Sequence, residues 1–359
     1  GGPRAQPPRL ALRGEGDRGG AATSEADDQD FVFLELEQLR QCLAGSMRPP
    51  VAREVLGFEW EAERAVDDFV FLCMLVGNDF LPGLPSLDVA DGALNAMMRA
   101  YTELVGESRG YLTDKGSIDM ARFERFVGMI STGEGYTVRK KMGRDASAPA
   151  PNARESEAPG EYKRRYYLQK LGLHPTDSAG RRRLIGSYLQ GLTWCLEYYH
   201  NGCRSWDWFY PDFYAPLASD LVQLPSFDVS LEMGAPFSPL CQLLSVLPPQ
   251  SGDLVPLAYR ELMLSPSSPI YDAFPVDFAL DANGKRAEWE AVALLPFIDQ
   301  ERLLAAVGDI DHDARLSAEE NARNAQLTDL IFSPGNPEGE RGPASKPVAA
   351  AALARPQAR

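Results

Sequence analysis

Histidine is scarce in this chain, with three among 359 residues: His174, His200 and His312. The five cysteines, Cys42, Cys73, Cys195, Cys203 and Cys241, form no CxxC pair and no zinc-ligand pattern with those histidines. That argues against a zinc site. An odd, scattered cysteine set also argues for reduced thiols in an intracellular compartment. Cys73, inside an apolar run, reads as a core residue. Positive charge is in deficit: 36 Lys and Arg face 51 Asp and Glu, for a net charge of −15 and a pI near 4.8. A non-specific nucleic-acid binder usually shows the opposite balance, so such a role would need a local basic patch. The acidity suits a soluble protein of cytoplasm or nucleus. No stretch of about 18 consecutive apolar residues occurs, so neither a transmembrane helix nor a membrane partner is expected. P-loop, GxGxxG and HExxH patterns are absent. The opening Gly1-Gly2-Pro3-Arg4-Ala5 has no methionine and no apolar signal core. We therefore expect a piece of a longer protein.

What is present supports a folded chain. A hydrophobic content of 44% and an aromatic content of 9% suffice for a substantial core in one or two domains. Residues 1–29 are rich in Gly, Ala, Arg, Asp and Pro and read as a disordered leader. Segment 133–160 reads as a flexible insert and 334–359 as a disordered tail. Between them lie two regions, 30–132 and 161–333. Periodicity predicts helices over 31–43 (Phe33, Leu34, Leu36, Leu39 and Leu43 on one face), 58–76, 87–104, 118–130, 162–171 and 181–199. The 181–199 helix buries Leu184, Ile185, Tyr188, Leu192, Cys195, Leu196 and Tyr199. Tyr111–Gly116 predicts a turn between extended pieces, and Asp281-Ala282-Asn283-Gly284 a second turn. Beyond Gly202 frequent prolines break the chain into short helices and ordered loops, including 240–247, 255–264, 300–307 and 317–324. Ser317 and Glu320 make a capping-box pattern. The fold class is mainly α: an irregular multi-helical domain with long ordered loops.

Three segments could carry chemistry. The apolar run Phe69–Val76 stops at Gly77-Asn78-Asp79-Phe80-Leu81-Pro82. Asp79 there either caps the next element or is held toward a metal ion. Asp67 and Asp68 lie roughly 16 Å away along a helix and read as capping or surface residues. Asp88 and Asp91 follow. A second segment, Tyr198–Pro211, sets Trp206, Trp208, Phe209 and Tyr210 beside Arg204. It is either a base-stacking platform or a packing node. The third is basic: Arg139, Lys140, Lys141 and Arg144, then Lys163, Arg164, Arg165 and Lys170, then Arg181, Arg182 and Arg183. It is either a phosphate-contacting face or a solvated helix face.

Taken in order, these segments resemble the XRN family of 5′→3′ exoribonucleases. The resemblance rests on Asp67–Leu87, Gly110–Gly116, Gly191–Tyr199, Ser205–Pro211, Tyr214–Asp220, Pro236-Phe237, Leu243–Pro248, Asn283–Val292, Leu294–Asp299 and Arg323-Asn324, and covers residues 31–332. It implies an α/β nuclease part joined to a mostly helical part, of which this chain would hold the second. It implies stepwise degradation of RNA bearing a 5′ monophosphate, with Mg²⁺ or Mn²⁺. Asp79 matches the last metal-binding aspartate of the family's acidic cluster. Trp206 or Trp208 matches the aromatic region that stacks on terminal bases, and Arg181, Arg182 and Arg183 are the RNA-contacting candidates. The family's other metal carboxylates and its 5′-phosphate pocket lie upstream of the matched region. The chain alone is therefore expected to be inactive. Asp212-Phe213 stands where the family carries Tyr-His. The alternative is a non-catalytic RNA-binding or scaffold protein keeping only the helical domain. Intracellular placement is expected, nuclear ahead of cytoplasmic.

Overall fold

The apolar run ending at Val76 is helical, not a strand. The computed structural model describes residues 33–50, 57–143, 160–285, 287–325, 330–333 and 336–341. In chain order the elements are α1 (Leu36–Met47), α2 (Ala62–Met74), α3 (Ala93–Ser108), β1 (Thr113–Asp114), β2 (Ser117–Ile118), α4 (Met120–Ile130), α5 (Glu134–Met142), α6 (Glu161–Leu171) and α7 (Ser178–Asn201). Then come α8 (Pro239–Val246), α9 (Leu257–Leu264), β3 (Ala279–Asp281), β4 (Val292–Leu294), α10 (Gln300–Gly308), α11 (His312–Arg315), α12 (Ala318–Asn324), β5 (Leu330–Ser333) and β6 (Asn336–Arg341). Among the described residues the strands pair as two-stranded antiparallel hairpins, β1–β2, β3–β4 and β5–β6. The fold is mainly α, as expected.

Two hydrophobic cores organise these helices. The first draws on α1 to α7 and on the loop through Leu224; the second on α8 to α10 and runs from Leu240 to Leu316. Helix α7, 24 residues long, is the spine of the first. Asp177 caps it by accepting from the Gly180 N–H at 2.8 Å, and Gly202 ends it at φ +80°. Its row from Leu184 through Tyr188 and Leu192 to Leu196 is buried, but Tyr199 is 59% exposed and falls off that row.

Several sequence expectations are corrected. Helix α1 starts at Leu36 rather than at 31, and Phe33, Leu34, Leu36 and Leu39 face outward. It turns Leu43, Ala44 and Met47 inward instead, against α2 and α3. The expected insert at 133–160 begins with helix α5: Val138 and Met142 are buried, and the Glu134 carboxylate accepts from the backbone N–H groups of Ala218 and Ser219 at 2.7 and 3.2 Å. Residues 144–159, the 1–29 leader and 342–359 lie outside the described residues, whereas 336–341 is strand β6.

Asp68 is neither a cap nor a surface residue. It is fully buried on α2 and accepts from Tyr101 Oη (2.7 Å), the Leu112 N–H (2.9 Å), the Thr113 N–H (2.8 Å) and Thr113 Oγ1 (2.6 Å). Burial pushes its carboxyl above the ordinary range, and the four donors pull it back. One side chain thus ties α2 to α3 and to the β1 strand. Further along, the turn Asp281–Gly284 closes the β3–β4 hairpin with Asn283 and Gly284 at positive φ. Asp281 is gripped there by Lys170 at 2.7 Å and by the Tyr214 hydroxyl.

Candidate functional site

Asp79 sits at the apex of a turn that the sequence builds rigidly. Helix α2 ends at Met74, and the chain closes back on itself: the Asn78 N–H donates to the Leu81 carbonyl at 3.0 Å and the Leu84 N–H to the Leu75 carbonyl at 2.9 Å. Asn78 is the organiser. Its Oδ1 accepts from the N–H groups of Phe80 (2.9 Å) and Leu81 (2.8 Å), and its Nδ2 donates to Cys195 Sγ at 3.7 Å. Burial pushes the Cys195 thiol up to about 11, so this sulfur is a packing atom rather than a nucleophile. Two glycines allow the closure. Gly77 has φ +104°, and a Cβ on Gly83 would lie 2.4 Å from the Val76 carbonyl oxygen.

The cap reading of Asp79 does not hold. Asn78 performs the local side-chain-to-backbone bonding, and Asp88 caps the next turn by accepting from the Ala90 N–H at 3.0 Å. Asp79 is exposed and makes no hydrogen bond or ion pair with the described residues. A carboxylate left uncommitted at the tip of a locked turn is free to bind something else.

Beside it stands an aromatic stack. The ring of Phe80 meets Trp194 and Tyr198 edge-on, at centroid distances of 4.9 and 5.5 Å. Trp194 lies flat between Tyr198 (5.2 Å, 6°) and Trp208 (5.0 Å, 26°). Its indole N–H donates to the Ser205 carbonyl at 2.9 Å, which fixes its orientation. Gly191 gives Leu81 and Trp208 room against α7: a Cβ there would lie 2.5 and 2.9 Å from their side chains. Trp208 therefore belongs to the Asp79 neighbourhood. Trp206 is 51% exposed and stands outside the stack. The sequence reading missed Phe80, Trp194 and Asn78. The signal for Asn78 was present, since Asn after Gly at a turn bonds its own following backbone.

The arginines stand elsewhere. With Trp194 as the α7 residue under Phe80, Arg183 lies about 16 Å further back along the axis and Arg181 about 20 Å. Each has an internal partner. Arg181 donates to the Pro175 carbonyl at 2.7 Å; Arg182 reaches the Ser226 carbonyl at 3.1 Å and lies 4.2 Å over the Phe227 ring; Arg183 grips both oxygens of Asp212 at 3.0 Å. Arg204 pairs with Glu197 at 3.0 Å.

Comparison with known proteins decides the family. The family described as the Xrn1 helical domain matches residues 59–161 and 157–341. The chain belongs to the XRN family. It is 33% identical to the 5'-3' exoribonuclease 2 of Gallus gallus over 86% of this chain and 41% of that protein. A Drosophila melanogaster 5'-3' exoribonuclease 2 homolog is also 33% identical, over 84% of this chain and 40% of the relative. The 5'-3' exoribonuclease 1 of Homo sapiens is 31% identical over 87% of this chain and 22% of its own length. The chain thus spans about two fifths, or less, of the relatives it matches. The XRN match includes the Asp79 turn, the aromatic stack, the second core and the first core from Ala65 onward.

Proposed function

We propose that this chain is the helical part of a 5′→3′ exoribonuclease, and that Asp79 contributes one carboxylate to that enzyme's divalent-metal site. The observation that carries the reading is the setting of Asp79: an uncommitted, exposed carboxylate on a turn locked by Gly77, Asn78 and Gly83, beside an aromatic stack. Mg²⁺ and Mn²⁺ take oxygen ligands, and Asp79 fits one position of such a set. It does not complete one. Among the described residues no group of three or more His, Cys, Asp or Glu converges. When bound, the metal would neutralise charge on the attacked phosphate. The remaining contributions are the chain's own. Phe80 and the Trp194–Trp208 stack form an aromatic wall next to Asp79, suited to rest a nucleobase without reading its sequence. RNA with a 5′ monophosphate is the proposed substrate.

The second reading is a helical domain that binds RNA or partners without catalysis. One experiment separates the two. Residues 59–341 are grafted in place of the matching segment of the Gallus gallus relative, and Mg²⁺-dependent digestion of 5′-monophosphorylated RNA is followed. The enzyme reading expects an active graft that Asp79→Ala silences, and no digestion by this chain alone. An active Asp79→Ala graft would sink the metal-ligand assignment. A graft that binds RNA but never digests it would support the second reading.

A further inference from the structure

Several exposed apolar side chains meet in one cleft on the far side of Trp208 from the Trp194 ring. Trp206, Phe209, Val276, Phe278, Leu295 and Phe297 are all exposed, and all line one open cleft of about 540 Å³. The cleft runs between the two cores: Trp208 on one wall packs with the first, Phe237 and Ile298 on the other with the second. Its volume falls in the range of ligand and peptide pockets, about 300–1,000 Å³.

The chemistry of the lining selects the occupant. Pro248, Pro249, Pro275 and Pro296 line the cleft together with the aromatic rings. No lysine or arginine lines the cleft, and Asp207 is its charged residue, accepting from Gln300 Nε2 at 3.2 Å. A phosphate entering here would face a carboxylate with no cation to offset it. The indole N–H groups of Trp206 and Trp208 have no acceptor among the described residues, unlike that of Trp194. Aromatic grooves with free indole donors suit polyproline-II segments, whose backbone carbonyls are unpaired and whose rings lie flat on aromatic faces. We propose that this cleft docks a proline-containing, neutral or basic peptide segment of a partner protein. The cleft shares Trp208 with the aromatic stack beside Asp79, but the proposal does not depend on Asp79 holding a metal.

The test uses the full chain and a fluorescein-labelled Ala-Pro-Pro-Leu-Pro-Pro-Arg peptide, read by anisotropy. Saturable binding is expected. Trp206→Ala and Phe297→Ala should each weaken it about tenfold. Trp206→Phe, which keeps a ring and removes the donor, should weaken it less. Replacing the peptide's arginine by glutamate should weaken binding, and Asp207→Lys should reverse that preference. Trp206 is half exposed, so its variants should melt as the wild type does. If they do not, Val276→Ala, an exposed lining residue, is the second variant and should also weaken binding. Any of four results would overturn the proposal: no peptide binding, undiminished binding by the correctly melting variants, competitive displacement by 5′-phosphorylated oligoadenylate, or Trp206-dependent self-association in light scattering. The third would make the cleft an RNA site, and the fourth an interface between copies.

Discussion

Asp68→Ala is the substitution with the largest expected effect on the framework behind the candidate site. Asp68 is wholly buried and accepts four hydrogen bonds, from Tyr101 Oη, the N–H groups of Leu112 and Thr113, and Thr113 Oγ1. Truncation leaves two backbone N–H groups with no partner in a dry interior, at about 1–3 kcal/mol each. The two hydroxyls can rotate toward other acceptors and add less. The loss should total about 2–6 kcal/mol, against about 5–15 kcal/mol for a whole domain. Urea unfolding followed by tryptophan fluorescence and circular dichroism measures it. Tyr101→Phe is the internal comparison: it deletes one of the four donors and should cost about 1–2 kcal/mol. The double variant should cost less than the sum of the two, because both disrupt one network. A loss below about 1 kcal/mol for Asp68→Ala would show that water or neighbouring carbonyls replace the carboxylate, and would refute the network as the tie between α2 and the β1–β2 hairpin.

Three further outcomes follow from particular contacts. Gly83→Ala should destabilise by about 1–3 kcal/mol in the same assay, because its Cβ would meet the Val76 carbonyl oxygen at 2.4 Å; an unchanged midpoint would mean that the turn is not tightly closed. Asp281 has a carboxyl held below the ordinary range: burial raises it, but Lys170 and the Tyr214 hydroxyl outweigh that. Its contribution to stability is therefore present above the unfolded value of about 3.9 and is lost as pH falls through the lower folded value. Asp281→Asn should flatten the stability–pH curve in that acid window, and an unchanged curve would refute the pairing. For RNA binding, Arg182→Glu should weaken affinity and make the salt slope shallower by about 0.7 if Arg182 meets a phosphate. Arg183→Glu should change the slope less, since Asp212 already neutralises Arg183.

Periodicity located nearly every helix of the first core, because burial of one helix face repeats every three to four residues and leaves a mark in the sequence. Helix α12 was legible from its Ser317–Glu320 box because a cap is a local event. Long-range events left no such mark. Glu134 begins a Gly-flanked, charge-rich segment that reads as a flexible insert. In the fold it is a helix whose Val138 and Met142 are buried and whose Glu134 carboxylate accepts from the Ala218 N–H, 84 residues away. The same holds for Asp68, whose donors lie 33 to 45 residues downstream. A buried carboxylate and a surface carboxylate look alike until their partners are placed.

The candidate site divides along that line too. The sequence pattern allowed two readings of Asp79, cap or ligand, and nothing local could choose between them. The structure removes the first, because Asn78 takes both neighbouring N–H groups and the cap position is already filled. A second consequence follows from where the adjacent ring goes. Phe80 is seated on Trp194 and Tyr198, so the backbone that carries Asp79 is anchored on one side by Asn78 and on the other by an aromatic stack fixed to α7. Exposed carboxylates are ordinarily mobile and bind cations weakly, because ordering the side chain and its loop costs conformational entropy at the moment of binding. Here most of the backbone share of that cost is met during folding. Only the side-chain rotamer of Asp79 would remain to be fixed if it bound a cation, so the turn supplies the backbone preorganisation that the proposed ligand role calls for.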